Sequence, residues 1–199
     1  FAVGPININA ELDIFGGTYE TTAAEIDLVG TQFFADISMA MSDALTLGAH
    51  LVYSDGTDEA DEVKLTHLTD DGSTVFSDYG AMNTLGISPL GPTDIFDADL
   101  NGDDFADGTG TTGAGVYVKF MVMESLTLYG QVMYATATEE LDNTTGEMDS
   151  LMLYNASVKY TIVPNAHVSA QYGYFSIDRQ DNVDADAAST LGVRLQIDF

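Results

Sequence analysis

The sequence has no cysteine and no tryptophan, and only five of its 199 residues are Lys or Arg. Each shortage excludes something. Without cysteine there is no disulfide framework and no thiolate metal site. Five cations stand against 32 carboxylates, for a formal charge of −27. A chain of that sign repels phosphates, which excludes nucleic acid as a partner. No run of about 18 apolar residues occurs, so there is no transmembrane helix. No basic segment followed by an apolar one opens the chain at Phe1. An exported protein would therefore be met here in its mature form, its signal peptide removed. Nor is this an acidic disordered tail, because 45% of the residues are hydrophobic, enough apolar surface to fold.

What the chain does have is a period of two. In "STLGVRLQIDF" Leu191, Val193, Leu195, Ile197 and Phe199 alternate with Thr190, Gly192, Arg194, Gln196 and Asp198. Alternation of this kind is the strand signature. It recurs in "INAELDIF", "TQFFADISMAMS", "LTLGAHLVYS", "GVYVKFMV", "LTLYGQVMYAT", "LMLYNASVKYTIV" and "AHVSAQYGYFS". The count is eight strands of roughly 9–12 residues, long enough to cross a bilayer when tilted. One face is apolar. The other carries Gly, Ser, Thr, Asn and Gln rather than the Lys and Glu of a soluble sandwich. The pattern predicts an all-β fold: an antiparallel up-and-down transmembrane β-barrel, apolar toward lipid and polar within.

The connections alternate too. Those at 42–44, 123–125 and 163–165 are short, and those at about 15–30, 56–112, 139–149 and 179–188 are long. Short periplasmic turns and long extracellular loops follow. Phe33, Tyr53, Tyr134, Tyr154 and Tyr174 then form an aromatic girdle near the outer rim. Residues 1–199 read as a single barrel domain with a long extracellular insertion at about 56–112. The alternative is a ten-stranded barrel, with a further hairpin from "EVKLTHLT" and "STVFSDYG".

The terminal strand, alternating to a final Phe, resembles that of bacterial outer-membrane proteins. The eight-strand count resembles the small OmpA- and OmpX-like membrane barrels. The resemblance implies location in the bacterial outer membrane, contact with its lipid and lipopolysaccharide, and an assembly signal at Leu195, Ile197 and Phe199.

Eight strands leave a lumen that side chains can fill. The inward positions include Glu11, Asp13, Asp36, His50, Lys119, Lys159 and Arg194. Charges of both signs in a narrow tube should pair, since an isolated buried charge is costly. Glu11 and Arg194 lie at similar distances from the periplasmic end of two strands that closure makes neighbours. The tight turn at 42–44 sets Asp36 opposite His50. With Ser38 close by, that pair has the composition of a hydrolytic site, but a satisfied polar plug is the simpler expectation.

The remaining signal is "DADLNGDDFADG", Asp97 to Gly108. Oxygen ligands at alternate positions suit calcium, a hard cation that takes six to eight oxygens. The ligands would be Asp99, Asn101, Asp103, the carbonyl of Phe105 and Asp107, with Asp97 or Asp104 as a spare or outer ligand and Gly102 making the turn. The spacing resembles the calcium loops of FG-GAP-type repeats. The sequence thus predicts a non-enzymatic barrel displaying acidic, calcium-stabilised loops for anchoring, adhesion or docking of another envelope or extracellular protein. A small passive, porin-like channel is the alternative, and a lipid-modifying enzyme built on Asp36, His50 and Ser38 the second.

Overall fold

A computed structural model describes residues 2–20, 25–55, 62–64, 111–138, 148–179 and 186–197. Every regular element among them is a strand. These are β1 (Ala2–Val3), β2 (Ile6–Glu20), β3 (Glu25–Ala40), β4 (Leu45–Ser54), β5 (Glu62–Lys64), β6 (Thr111–Met123), β7 (Leu126–Thr136), β8 (Met148–Val163), β9 (Ala166–Arg179) and β10 (Asp186–Ile197). They form one sheet in the order β1-β2-β3-β4-β6-β7-β8-β9-β10, with β5 added to β3. All neighbours on the main path are antiparallel and up-and-down, while β5 lies parallel to β3. Among the described residues no register joins β2 to β10.

Local chemistry explains the turns. Ser42 Oγ accepts hydrogen bonds from the N–H groups of Ala44 (3.2 Å) and Leu45 (3.1 Å), which adds to the backbone bonds between Ser42 and Leu45 that close the turn. Gly4 takes φ 61° between the paired residues Val3 and Ile6. A type II′ hairpin requires that value at its first central position, where glycine alone has no steric cost. Near the other two tight turns the register slips, between Met121 and Met123 and between Thr161 and Val163.

Two expectations are corrected. The connection placed at about 15–30 is largely strand: Phe15–Glu20 pairs with Glu25–Gly30. Gly16, Gly17 and Thr18 interrupt the apolar alternation, but backbone pairing does not depend on it. The ten-strand alternative required a hairpin between β4 and β6. Those strands instead pair directly from Leu45↔Phe120 to Ser54↔Thr111, and Glu62–Lys64 lies against β3.

The sheet has two faces of different chemistry. Leu12, Ile37, Leu47, Leu51, Val116, Val118, Phe120, Leu128 and Val132 are exposed on one. Exposure peaks on the outermost long strands, with Ile14 at 75% and Leu191 and Val193 at 72%. On the other face lie the buried residues, apart from small outward ones such as Ala35. β7 shows the alternation directly, with Tyr129, Gln131, Met133 and Ala135 buried between outward Leu128, Val132 and Tyr134. Tyr154 and Tyr174 are cross-strand partners on the outward face, ring centroids 6.1 Å apart.

Candidate functional site

The inner face is layered along the strands. Toward the long loops it is apolar: Phe34, Val52, Met133, Ala135, Leu151 and Leu153 are buried there. This departs from the mixed polar interior expected. Gly113 and Gly115 allow it, because a Cβ at Gly113 would meet Val52 at 2.9 Å and one at Gly115 would meet Met133 at 3.1 Å. Large side chains lie across the glycines and fill the space above them.

Next toward the tight turns comes a polar layer. Asp36 and His50 are cross-strand partners, as the 42–44 turn requires. His50 is 1% exposed, and its Nδ1 lies 3.0 Å from Asp36 Oδ2. The approach is close but not aligned as a hydrogen bond, and neither His50 nitrogen has another partner among the described residues. We therefore read the pair as an electrostatic contact held by packing. Tyr117 stacks on the imidazole (centroids 4.7 Å apart, planes at 21°), and Phe34 lies beyond its other side at 6.3 Å. The Tyr117 hydroxyl is 3.5 Å from Asp36 Oδ1, at the limit for a hydrogen bond.

That last contact depends on a glycine. Tyr117 is on β6 and Asp36 on β3, with β4 between them. Strands two apart are separated by about 10 Å, so the phenol must cross β4 over its backbone. It does so at Gly48, its own cross-strand partner. A Cβ there would lie within 2.1 Å of Tyr117 Cζ. Further along, Tyr129 donates a 2.7 Å hydrogen bond to Gln131 Oε1, and Ser157, Ser169 and Gln171 are buried.

The other expected lumen charges are more scattered. Glu11 and Asp13 are half-buried neighbours on β2, Lys159 is half-buried on β8, and Lys119 and Arg194 are exposed on β6 and β10. Glu11 and Arg194 lie on the two ends of the sheet, and the described registers do not bring them together. Leu195 and Ile197 are exposed on β10. Phe199, the proposed calcium ligands Asp97, Asp99, Asn101, Asp103, Phe105 and Asp107, and most of the 56–112 insertion lie outside the described residues.

Tyr117, Gly48 and Gly115 were not singled out from sequence. The available signal was an inward glycine in two strands facing, on a neighbouring strand, an inward residue with a ring. A groove of about 630 Å³ reaches this cluster only at Gly48 and Tyr117. Outward Leu47, Val116, Val118, Val132, Tyr154 and Tyr172 line most of it, over Gly130 and Ala156.

An all-strand antiparallel sheet with one exposed apolar face and one filled mixed face defines the class: a β protein of the exported, outer-membrane type. The chain belongs to the family described as YfaZ precursor, whose model matches residues 96–197, just over half of it. A precursor family is consistent with an envelope location. No curated protein matches the chain.

Proposed function

We propose that this protein is an eight-stranded outer-membrane β-barrel that performs no catalysis. Its interior is a packed plug, and its role is to hold acidic loops at the cell surface for anchoring, adhesion or docking of another envelope or extracellular protein. The observation that carries the reading is the filled inner face, apolar at the loop end and closed by Tyr117 over Gly48 and His50. Such packing favours a display scaffold over a water-filled channel. Lipid and lipopolysaccharide would cover the apolar face.

The registers support closure. Starting at Glu11, the row of Cα partners runs through Phe34, Val52, Gly113, Ala135, Leu151 and position 177 to position 186. An eight-stranded barrel with strands tilted near 36° closes with a stagger of about eight residues. That stagger carries Glu11 from position 186 to Arg194. The opposite sense would leave β10 altogether. At the steep end of the usual tilt the stagger is about ten, and Arg194 then meets Asp13. Either way the cation lands against a carboxylate.

Calcium bound by Asp99, Asn101, Asp103, the Phe105 carbonyl and Asp107, with Asp97 as outer ligand, would order the second long loop. Purified protein in planar bilayers should give no conductance steps. Steady unitary conductance would replace the display reading with the passive channel, and a lipid A mass shift on expression would replace it with an enzyme.

A further inference from the structure

On β6, β8 and β10 the cations lie apart from the strand carboxylates. Strands β4, β6 and β7 contain no Asp or Glu, and the carboxylates of β8, β9 and β10 are Asp149, Asp178 and Asp186, all at the loop end. The cations Lys119, Lys159 and Arg194 lie toward the tight turns, while Arg179 ends β9 at the loop end. Lys159, Ser169 and Arg194 fall in one row of Cα partners. Lys119 is two strands from Lys159 and one inward position higher, through Tyr129 and Ser157. By strand spacing their Cα atoms are about 12 Å apart, within the combined reach of two four-carbon stems. No hydrogen bond or ion pair holds either ammonium among the described residues. The turn carboxylates Asp43 and Glu124 are exposed and hold neither of them.

Around these cations the inner face offers neutral donors. Thr127 is the cross-strand partner of Lys159, Gln171 is buried, and His167 is half-buried at the same end, while the buried Ser169 hydroxyl donates to the Arg194 carbonyl over 3.5 Å. Closure as proposed above engages Arg194 with Glu11 or Asp13 and leaves Lys119 and Lys159 without a counter-charge among the described residues. In a chain of net charge −27, two unneutralised lysines beside hydroxyl and amide donors form a local well for an anion.

We propose that the tight-turn mouth of the inner face binds a phosphate-type oxyanion between Lys119 and Lys159, with the Thr127 hydroxyl beside them as donor. The site rests on the barrel reading, because closure is what encloses it. Free phosphate and the phosphate of a lipid headgroup share this chemistry. The test uses the full chain refolded in neutral detergent, with folding established first by heat-modifiable gel migration, which examines the barrel reading separately. One arm titrates inorganic phosphate against chloride at constant ionic strength, following the phosphorus resonance. The other adds phosphatidylglycerol to the same micelles. Saturable binding in either arm, weakened at least tenfold in the folded Lys119→Met/Lys159→Met variant, supports the site and identifies its source. Each single variant should lose part of the affinity. No binding by the folded protein in either arm, or equal binding by the double variant, overturns it.

Discussion

Replacing Gly48 with alanine tests the packing of the interior at one atom. In a strand the change should normally help, since glycine costs about 0.5–1 kcal/mol relative to alanine in element interiors. Here the new methyl carbon would lie 2.1 Å from Tyr117 Cζ. Tyr117 must swing off β4, giving up its stack on His50 and its approach to Asp36. Overpacking costs about 1–3 kcal/mol and a lost aromatic pair about 0.5–1.5 kcal/mol. After the backbone gain is subtracted, Gly48→Ala should destabilise the protein by about 1–3 kcal/mol. Urea unfolding in lipid vesicles, followed by tyrosine fluorescence and gel shift, gives the number. Tyr117→Ala made in both backgrounds completes a cycle, with an expected coupling of about 0.5–3 kcal/mol. If Gly48→Ala stabilises the protein, or the two changes are additive, Tyr117 does not cross β4 at Gly48.

Three further outcomes follow from the same account. Val116→Arg, on the outward face and 62% exposed, should cost about 2–4 kcal/mol in vesicles if that face meets the bilayer core. A change near zero in the same urea titration would mean the face meets water. Arg194→Ala should lower the unfolding midpoint by stranding a carboxylate, and Glu11→Gln with Arg194→Gln should recover part of the loss. Equal midpoints for wild type and Arg194→Ala would dissolve the pairing. Calorimetric titration of EDTA-stripped protein should show saturable calcium binding that Asp99→Ala/Asp103→Ala removes. Absence of heat at millimolar calcium would leave 97–107 as a solvated acidic loop.

The strands and the Asp36–His50 pairing were legible in the sequence for one physical reason. Side-chain direction in a strand has a period of two, and a tight turn such as 42–44 fixes the register of the strands beside it. The extension of β2 and β3 to Glu20 and Glu25 was not legible, because Gly16 and Gly17 carry no side chain to display the alternation. The apolar loop end was hidden differently. Leu151, Leu153 and Met133 look like the lipid-facing residues beside them, and their inward direction shows only once register is counted from a turn. Tyr117 over Gly48 required knowing which strand lies beside which, since the partners are 69 residues apart along the chain.

The central claim is that β2 and β10 meet and close the sheet. The absence of native cysteine makes a direct measurement possible: disulfide cross-linking of engineered pairs in outer membranes, read by gel migration without reductant. A stagger of about eight residues sets Leu12 opposite Val193, and one of about ten sets Ile14 there. The account predicts that Val193→Cys cross-links within one chain to Leu12→Cys or to Ile14→Cys, but not to Ile8→Cys. If neither pair forms under oxidant while a β9–β10 control pair, Tyr172→Cys with Leu191→Cys, forms readily, the sheet is open along that seam and the barrel is contradicted.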